Sequence, residues 1–309
     1  MDFAIEATDL SKWYGKEKTV AVDRISLAVR PGEVFGLIGP DGAGKTSIFR
    51  MLTTLLLPDS GSARVNGFDV VKDYQQIRES VGYMPGRFSL YQDLSVEENL
   101  SFFATVFNTT IEENYHLIEE IYIQLEPFKK RLAGKLSGGM KQKLALCCAL
   151  IHQPEVLFLD EPTTGVDPVS RKEFWEMLAR LKEHGITILV ATPYMDEATL
   201  CERIALIQEG RILQVDTPAA ISAAYPDQLL EAKTDNMSAT IRQINEMEGV
   251  IRCYGFGEYA HVAVPVNWTD AVEKISSYLT AQGLSNVVVR PTTPTIEDVF
   301  IKLTLDERK

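Results

Sequence analysis

Two hydrophobic periods alternate along this chain. Up to about Pro218, short apolar runs of strand length alternate with longer stretches whose apolar positions recur at helical spacing. "VFGLIG" is followed by "KTSIFRMLTTLL", and later come "EVLFLD", "PVSRKEFWEMLARLKEHG", "ITILVAT" and "MDEATLCE". Continuous apolar strands separated by amphipathic helices predict an α/β body, a mostly parallel sheet covered by helices. Between Arg87 and Gly134 the strand signal stops. "SVEENLSFFATVF" and "TIEENYHLIEEIYIQL" carry only the helical period, so a helical subdomain over about 87–134 is expected inside the body. "RIALIQEGRILQVDTPAAIS" predicts two short strands around Glu209-Gly210 and then a proline-started helix.

After Tyr225-Pro226 the pattern restarts. "DQLLEAKT", "SATIRQINEM", "VIRCYG", "EYAHVAV", "WTDAVEKISSYLTAQG" and "NVVVRP" read as β, α, β, β, α, β, the order of a small ferredoxin-like α+β domain. The expected division is therefore 1–225 and 226–309. At 309 residues the chain exceeds the size at which one core usually stops growing, which suits a large domain with a smaller one.

Composition changes this picture in three places. The longest apolar stretches, such as "LALCCALI" from Leu144 to Ile151, are too short to cross a bilayer. The start, "MDFAIEATDL", lacks a basic region followed by a long apolar run, so a soluble, cytoplasmic chain is expected. The four cysteines, Cys147, Cys148, Cys201 and Cys253, show no C-x-x-C spacing and fit core packing better than a metal or redox site. A net charge of −12 without a basic run opposes a nucleic-acid partner.

Chemistry enters with "GPDGAGKTS", residues Gly39, Pro40, Asp41, Gly42, Ala43, Gly44, Lys45, Thr46 and Ser47. It matches G-x-x-x-x-G-K-[ST], follows an apolar strand and opens a helix, the context a phosphate loop requires. Its glycines let backbone N–H groups turn inward as an anion nest, to which the helix N-terminus adds partial positive charge. Lys45 would reach the β/γ-phosphates of ATP and Thr46 would offer a hydroxyl to Mg²⁺. Asp41 should point outward, since a carboxylate inside an anion nest is repelled. "VLFLDEP" places Asp160 and Glu161 directly after four apolar residues, where strand ends carry α/β sites. Such a pair also suits a solvated turn. Beside the phosphate loop, the favoured reading makes Asp160 part of the Mg²⁺ shell and Glu161 the group that polarises the attacking water.

These motifs, in this order, resemble the ATP-binding subunits of ABC transporters, a P-loop NTPase family, over most of the chain. The specific mark is "LSGGMKQKLALCCAL", similar to the family signature LSGGQ with Met140 in place of Gln. The resemblance implies a head-to-tail dimer, with ATP held between one chain's phosphate loop and Ser137, Gly138 and Gly139 of the other. Tyr14 sits where the family stacks an aromatic ring on adenine; a core aromatic is the alternative, and the adjacent Trp13 is a weaker candidate for the stacking ring. Asp167 matches the loop that crosses between the two chains, and it also suits an Asp-Pro helix start. The helical subdomain is the part that, in this family, contacts multi-pass membrane permease subunits. That implies a peripheral position on the inner face of the cell membrane. The tail with "TPTIEDVFIKLT" looks like that of exporters whose ATPase is a separate polypeptide.

Two positions depart from the family. The residue after "GYMP" is usually Gln, a Mg²⁺ and water ligand, and here it is Gly86. The switch residue after "ITILVAT" is usually His, a donor to the γ-phosphate, and here it is Pro193, which cannot donate from side chain or backbone. His116, His152, His184 and His261 read as residues of helices, helix ends or the tail domain. The departures imply ATPase activity weakened at the chain's own site and favour a heterodimer, in which a second ABC ATPase chain supplies the competent site. A nucleotide-dependent clamp or regulatory module with little hydrolysis is the alternative. A soluble ABC ATPase of translation or DNA repair fits less well, because one core, no long heptad run and the acidic charge all oppose it.

Overall fold

The strands Val34–Ile38, Val156–Asp160 and Thr187–Thr192 are buried at every position, as parallel strands covered by helices on both faces must be. The computed structural model describes residues 2–306. In it these strands form the middle of a six-stranded sheet of order Arg211–Asp216, Arg203–Gln208, Val34–Ile38, Thr187–Thr192, Val156–Asp160, Val81–Met84. Neighbours pair in parallel except in the edge hairpin, where Arg211–Asp216 runs antiparallel to Arg203–Gln208 across Glu209-Gly210. The α/β body is thus the expected one, and the helix after the hairpin, Pro218–Ala223, starts on its proline.

A second sheet was not legible in the β-α rhythm. Thr19–Val29, Ile5–Tyr14, Ser60–Val65 and Phe68–Asp69 form a four-stranded antiparallel sheet whose strands alternate buried and exposed residues only in part. Register shifts along Ile5–Tyr14 break the period-2 pattern that would have revealed it. The helical region holds Val96–Val106 and Tyr115–Tyr122, and both pack on Gly138–Leu150, so this helical body runs past Gly134. Ser95 and Glu98 close a capping box at its entry. "YMDEA" opens a helix as the pattern suggested, and it is a 3₁₀ helix, Met195–Leu200.

One packing pair positions the site. Phe49, on the helix Lys45–Leu52, meets Phe158 edge to face, with ring centroids 5.7 Å apart and planes at 78°. Such a pair contributes about 0.5–1.5 kcal/mol beyond the area it buries. Phe158 and Asp160 lie two residues apart, on one side of their strand, while Thr46 and Phe49 share a helix face. Docking the two rings therefore carries Thr46 to Asp160.

Backbone contacts divide the chain between Pro218 and Ala219, earlier than the Tyr225-Pro226 mark. The second unit has the sheet order Arg252–Phe256, Tyr259–Val264, Gln228–Lys233, Val288–Pro291, antiparallel throughout, with Met237–Glu246 and Ala271–Ala281 as its crossover helices. This is the ferredoxin-like order. Its core gathers Leu230, Val262, Ile244, Ile275 and Leu279. The last helix, Ile296–Asp306, is tied in by Asp298, which accepts from His261 Nδ1 at 2.6 Å and from the Thr295 N–H and hydroxyl at 2.7 Å each.

Candidate functional site

The phosphate loop begins where Val34–Ile38 ends, and two of its glycines, Gly39 and Gly44, are there for want of space. A Cβ on Gly39 would stand 2.2 Å from the Ile207 carbonyl oxygen, and one on Gly44, at φ +103°, would stand 2.4 Å from that of Ala21. Gly42 has φ +79° and open space around it, so its backbone can approach a ligand. Asp41 is exposed, as electrostatics required. Ala43 is buried, and its carbonyl accepts the Gly210 N–H at 3.0 Å, fixing the loop to the edge hairpin.

Lys45 is only 3% exposed. Its ammonium donates to the carbonyls of Gly39 at 2.7 Å and Pro40 at 2.9 Å and stands 3.4 Å from Glu161 Oε1. Two of its three donors hold the loop, which leaves one for a ligand oxygen. The Thr46 hydroxyl donates to Asp160 Oδ1 at 3.2 Å. Burial pushes the Asp160 carboxyl above the ordinary aspartate value, against the bond from Thr46, and the negative charge of Glu161 adds to the rise. The nearby Tyr83 phenol is pushed up to about 12 by its burial and by Asp160. Tyr14 closes the other side, its hydroxyl 3.1 Å from Ser47 Oγ and its ring partly exposed.

Glu161 is held in a backbone conformation that L-residues avoid, φ +52°, with its N–H bonded to the Ala191 carbonyl at 2.8 Å. Its Oε2 receives a long bond, 3.4 Å, from the Thr164 hydroxyl. Both family departures lie on this cluster. A Cβ on Gly86 would stand 3.0 Å from the Asp160 carbonyl oxygen and 3.7 Å from Glu161 Cβ. Pro193 directly follows Thr192, whose carbonyl accepts the Gly39 N–H at 3.2 Å, so the strand end does reach the phosphate loop.

The remaining candidates form a second group. Ser137 caps the helix Gly138–Leu150, its hydroxyl accepting the Met140 N–H at 3.4 Å. A Cβ on Gly138 would approach the Gly165 carbonyl oxygen at 3.4 Å, and one on Gly139 would meet Ser170 Oγ at 2.8 Å. Asp167 caps the helix Pro168–Glu183, accepting from Val169 N at 3.2 Å and Ser170 N at 3.0 Å, and these backbone bonds hold its carboxyl below the ordinary value. The signature and the crossing loop thus pack on each other. Of the histidines, His152 stacks on Phe107 at 3.8 Å and is bonded to the Val81 carbonyl, His261 is bonded to Asp298, and His116 and His184 are exposed.

The donor set suits a magnesium nucleotide. Thr46 and Asp160 are hard oxygen donors in contact, and Mg²⁺ takes one or two protein oxygens and completes its shell with phosphates and water. Among the described residues no cluster of three or more His, Cys, Asp or Glu side chains offers an all-protein cation cage. No described helix is long and apolar enough to cross a membrane.

Comparison with known proteins identifies the family. The ABC transporter family model matches residues 22–164. The chain is 38% identical over 311 residues to the probable multidrug ABC transporter ATP-binding protein YbhF of Escherichia coli K12, covering 98% of this chain and 52% of that one. It therefore spans about half the length of that relative. It is 32% identical to the daunorubicin resistance ATP-binding protein DrrA3 of Streptomyces coeruleorubidus, over 100% of this chain and 98% of that one. The solved structure of cbiO1 from Clostridium perfringens, part of the ABC transporter complex cbiONQ, superposes with a TM-score of 0.65 at 26% identity, covering 80% of this chain and 96% of that one. The chain belongs to the ABC transporter ATP-binding family.

Proposed function

We propose that this chain binds and hydrolyses Mg-ATP to drive export through separate membrane permease subunits. The observation that carries the reading is the meeting of Lys45 with Glu161 and of Thr46 with Asp160 at the ends of two strands that flank Thr187–Thr192. The inward backbone of Gly42 and Gly44 would hold phosphate oxygens, Lys45 would give its remaining donor to them, and the Tyr14 ring would carry the adenine. Thr46 and Asp160 would hold Mg²⁺, which when bound neutralises charge on the phosphates. Glu161 would orient and polarise the attacking water. Ser137, Gly138, Gly139 and Asp167 would serve the nucleotide of a second chain placed head to tail.

Export is supported by the relatives named for multidrug and daunorubicin resistance. A groove of about 320 Å³, lined by Tyr83, Met84, Pro85, Phe103 and Phe107, lies between the sheet edge and the helical body and would seat a permease element on the inner face of the membrane. Domain roles follow: the first unit is the nucleotide engine and the second an accessory domain.

Gly86 offers no side-chain ligand and Pro193 no donor, and each missing transition-state donor commonly costs a few kcal/mol. The chain's own site therefore binds ATP normally and hydrolyses it slowly, and a heterodimer with a second ABC ATPase would restore a competent site. The same two residues favour a second reading, a nucleotide-dependent clamp with negligible hydrolysis. Equilibrium Mg-ATP binding, with steady-state hydrolysis by the isolated chain, tests both. Tight binding with slow turnover supports the first reading, and tight binding with no turnover supports the clamp. Absence of Mg-ATP binding rejects both.

A further inference from the structure

Behind Glu161 lies a carboxylate that no sequence motif marks. Glu197, whose side chain is 1% exposed, accepts the Thr163 hydroxyl at 2.6 Å and Arg171 Nε at 2.7 Å on Oε1, and the Thr192 hydroxyl at 2.5 Å on Oε2. Each partner belongs to a different part of the site. Thr163 stands two residues beyond Glu161, Thr192 immediately precedes Pro193, and Arg171 rides on the helix that Asp167 caps. Arg171 also pairs with both oxygens of Asp196, at 2.9 and 3.0 Å, and lies 4.2 Å over the Tyr194 ring. A buried carboxylate survives only when it is paired and hydrogen-bonded, and here three donors from three segments serve it.

We infer that Glu197 is a positioning residue that holds Glu161 in its working orientation and ties it to the loop carrying Asp167. The left-handed backbone at Glu161 persists only if its surroundings impose it. Upstream the Ala191 carbonyl fixes its N–H; downstream Glu197 fixes the chain through Thr163. Because Arg171 shares Oε1 with Thr163, movement of the crossing loop acts on the loop of Glu161 through one atom. Proline at 193 has no N–H to donate at this strand end, and the Tyr194 N–H donates to Thr192 Oγ1 at 3.1 Å, inside the same network. The inference rests on the proposed ATPase reading for the role of Glu161.

The test compares Glu197→Ala and the milder Thr163→Val with the unmodified full chain, by amide hydrogen exchange and by single-turnover hydrolysis with protein in excess over ATP. Thr163→Val leaves Glu197 paired with Arg171 and Thr192, so it serves even if Glu197→Ala does not fold. Loss of one charged hydrogen bond should speed exchange over residues 161–167 by about tenfold, with residues 39–47 unchanged. Single-turnover hydrolysis should fall by at least about tenfold while ATP affinity stays within about threefold, the split expected of a group that acts on the reaction step alone. Exchange unchanged over 161–167 overturns the inference. So does exchange raised equally throughout the first unit, or affinity lost in step with rate. If Mg-ATP does not protect residues 39–47 of the unmodified chain, the nucleotide reading fails, and the exchange over 161–167 still judges Glu197.

Discussion

Lys45 Nζ lies 3.4 Å from Glu161 Oε1, so the cation of the phosphate loop and the carboxylate at the end of Val156–Asp160 face each other across the end of Thr187–Thr192. With Lys45 almost wholly buried, its charge is compensated by two carbonyls and this carboxylate. Lys45→Met should therefore weaken ATP binding by about ten- to a hundredfold, the loss of one hydrogen bond to a charged group. Isothermal titration calorimetry measures it, and unchanged affinity would place the nucleotide elsewhere.

Glu161→Gln keeps the size of the side chain and removes the charge. Hydrolysis should fall by about 10²-fold or more, within the range for loss of a general base, while ATP affinity changes little. Steady-state phosphate release beside equilibrium binding checks the split.

Two of the buried carboxylates, Asp160 and Asp298, should respond oppositely to pH. Asp160 has its folded value raised, chiefly by burial, so its contribution to stability is fully present below the ordinary aspartate value and is lost as pH rises through the raised one. Asp160→Asn should therefore melt higher than the unmodified chain at pH 7, an advantage that shrinks toward pH 4, and it should lose Mg²⁺-dependent ATP binding. Asp298 is driven upward by burial, but its bonds from His261, Tyr254 and Thr295 outweigh that and hold it below the ordinary value. Its contribution is present above the ordinary aspartate value and is lost as pH falls through the lowered one. Thermal melts of both Asn variants across pH 3–8 check the signs.

How much of this was legible in the sequence follows from how local each signal is. Gly39 to Ser47 carries its function in nine consecutive residues, and Asp160-Glu161 ends a run of apolar residues, so both could be read directly. Glu197 could not. In "YMDEA" it looks like any charged residue of a helix start, and only the fold brings Thr163, Arg171 and Thr192 around it. The N-terminal antiparallel sheet was hidden for a related reason: shifts of register interrupt the alternation that marks a half-buried strand. The charged residues of "MDEA" also gave a helix signal without its kind, and a 3₁₀ helix formed where Glu197 turns inward.

Phe158 tests whether packing places the metal ligands. Phe158→Ala should cost about 3–5 kcal/mol of stability, as large-to-small changes of buried aromatics do. At temperatures where the variant stays folded, it should also weaken Mg²⁺-dependent ATP binding, because the Phe49 contact that sets Thr46 against Asp160 is gone. Urea unfolding and Mg²⁺ titration of ATP affinity measure the two effects.

On the proposed reading, Gly86 and Pro193 leave a site able to bind ATP and slow to hydrolyse it. At position 86 there is room for a side chain once the Asp160 carbonyl yields by a few tenths of an ångström, since a Cβ there would stand 3.0 Å from it. The most direct measurement is steady-state ATP turnover by the unmodified chain, beside Gly86→Gln/Pro193→His at matched ATP saturation. Turnover should lie well below roughly 1 s⁻¹ for the unmodified chain and rise at least about tenfold in the double variant. Turnover of roughly 1 s⁻¹ or more by the unmodified chain, with no gain from the two substitutions, would contradict that reading.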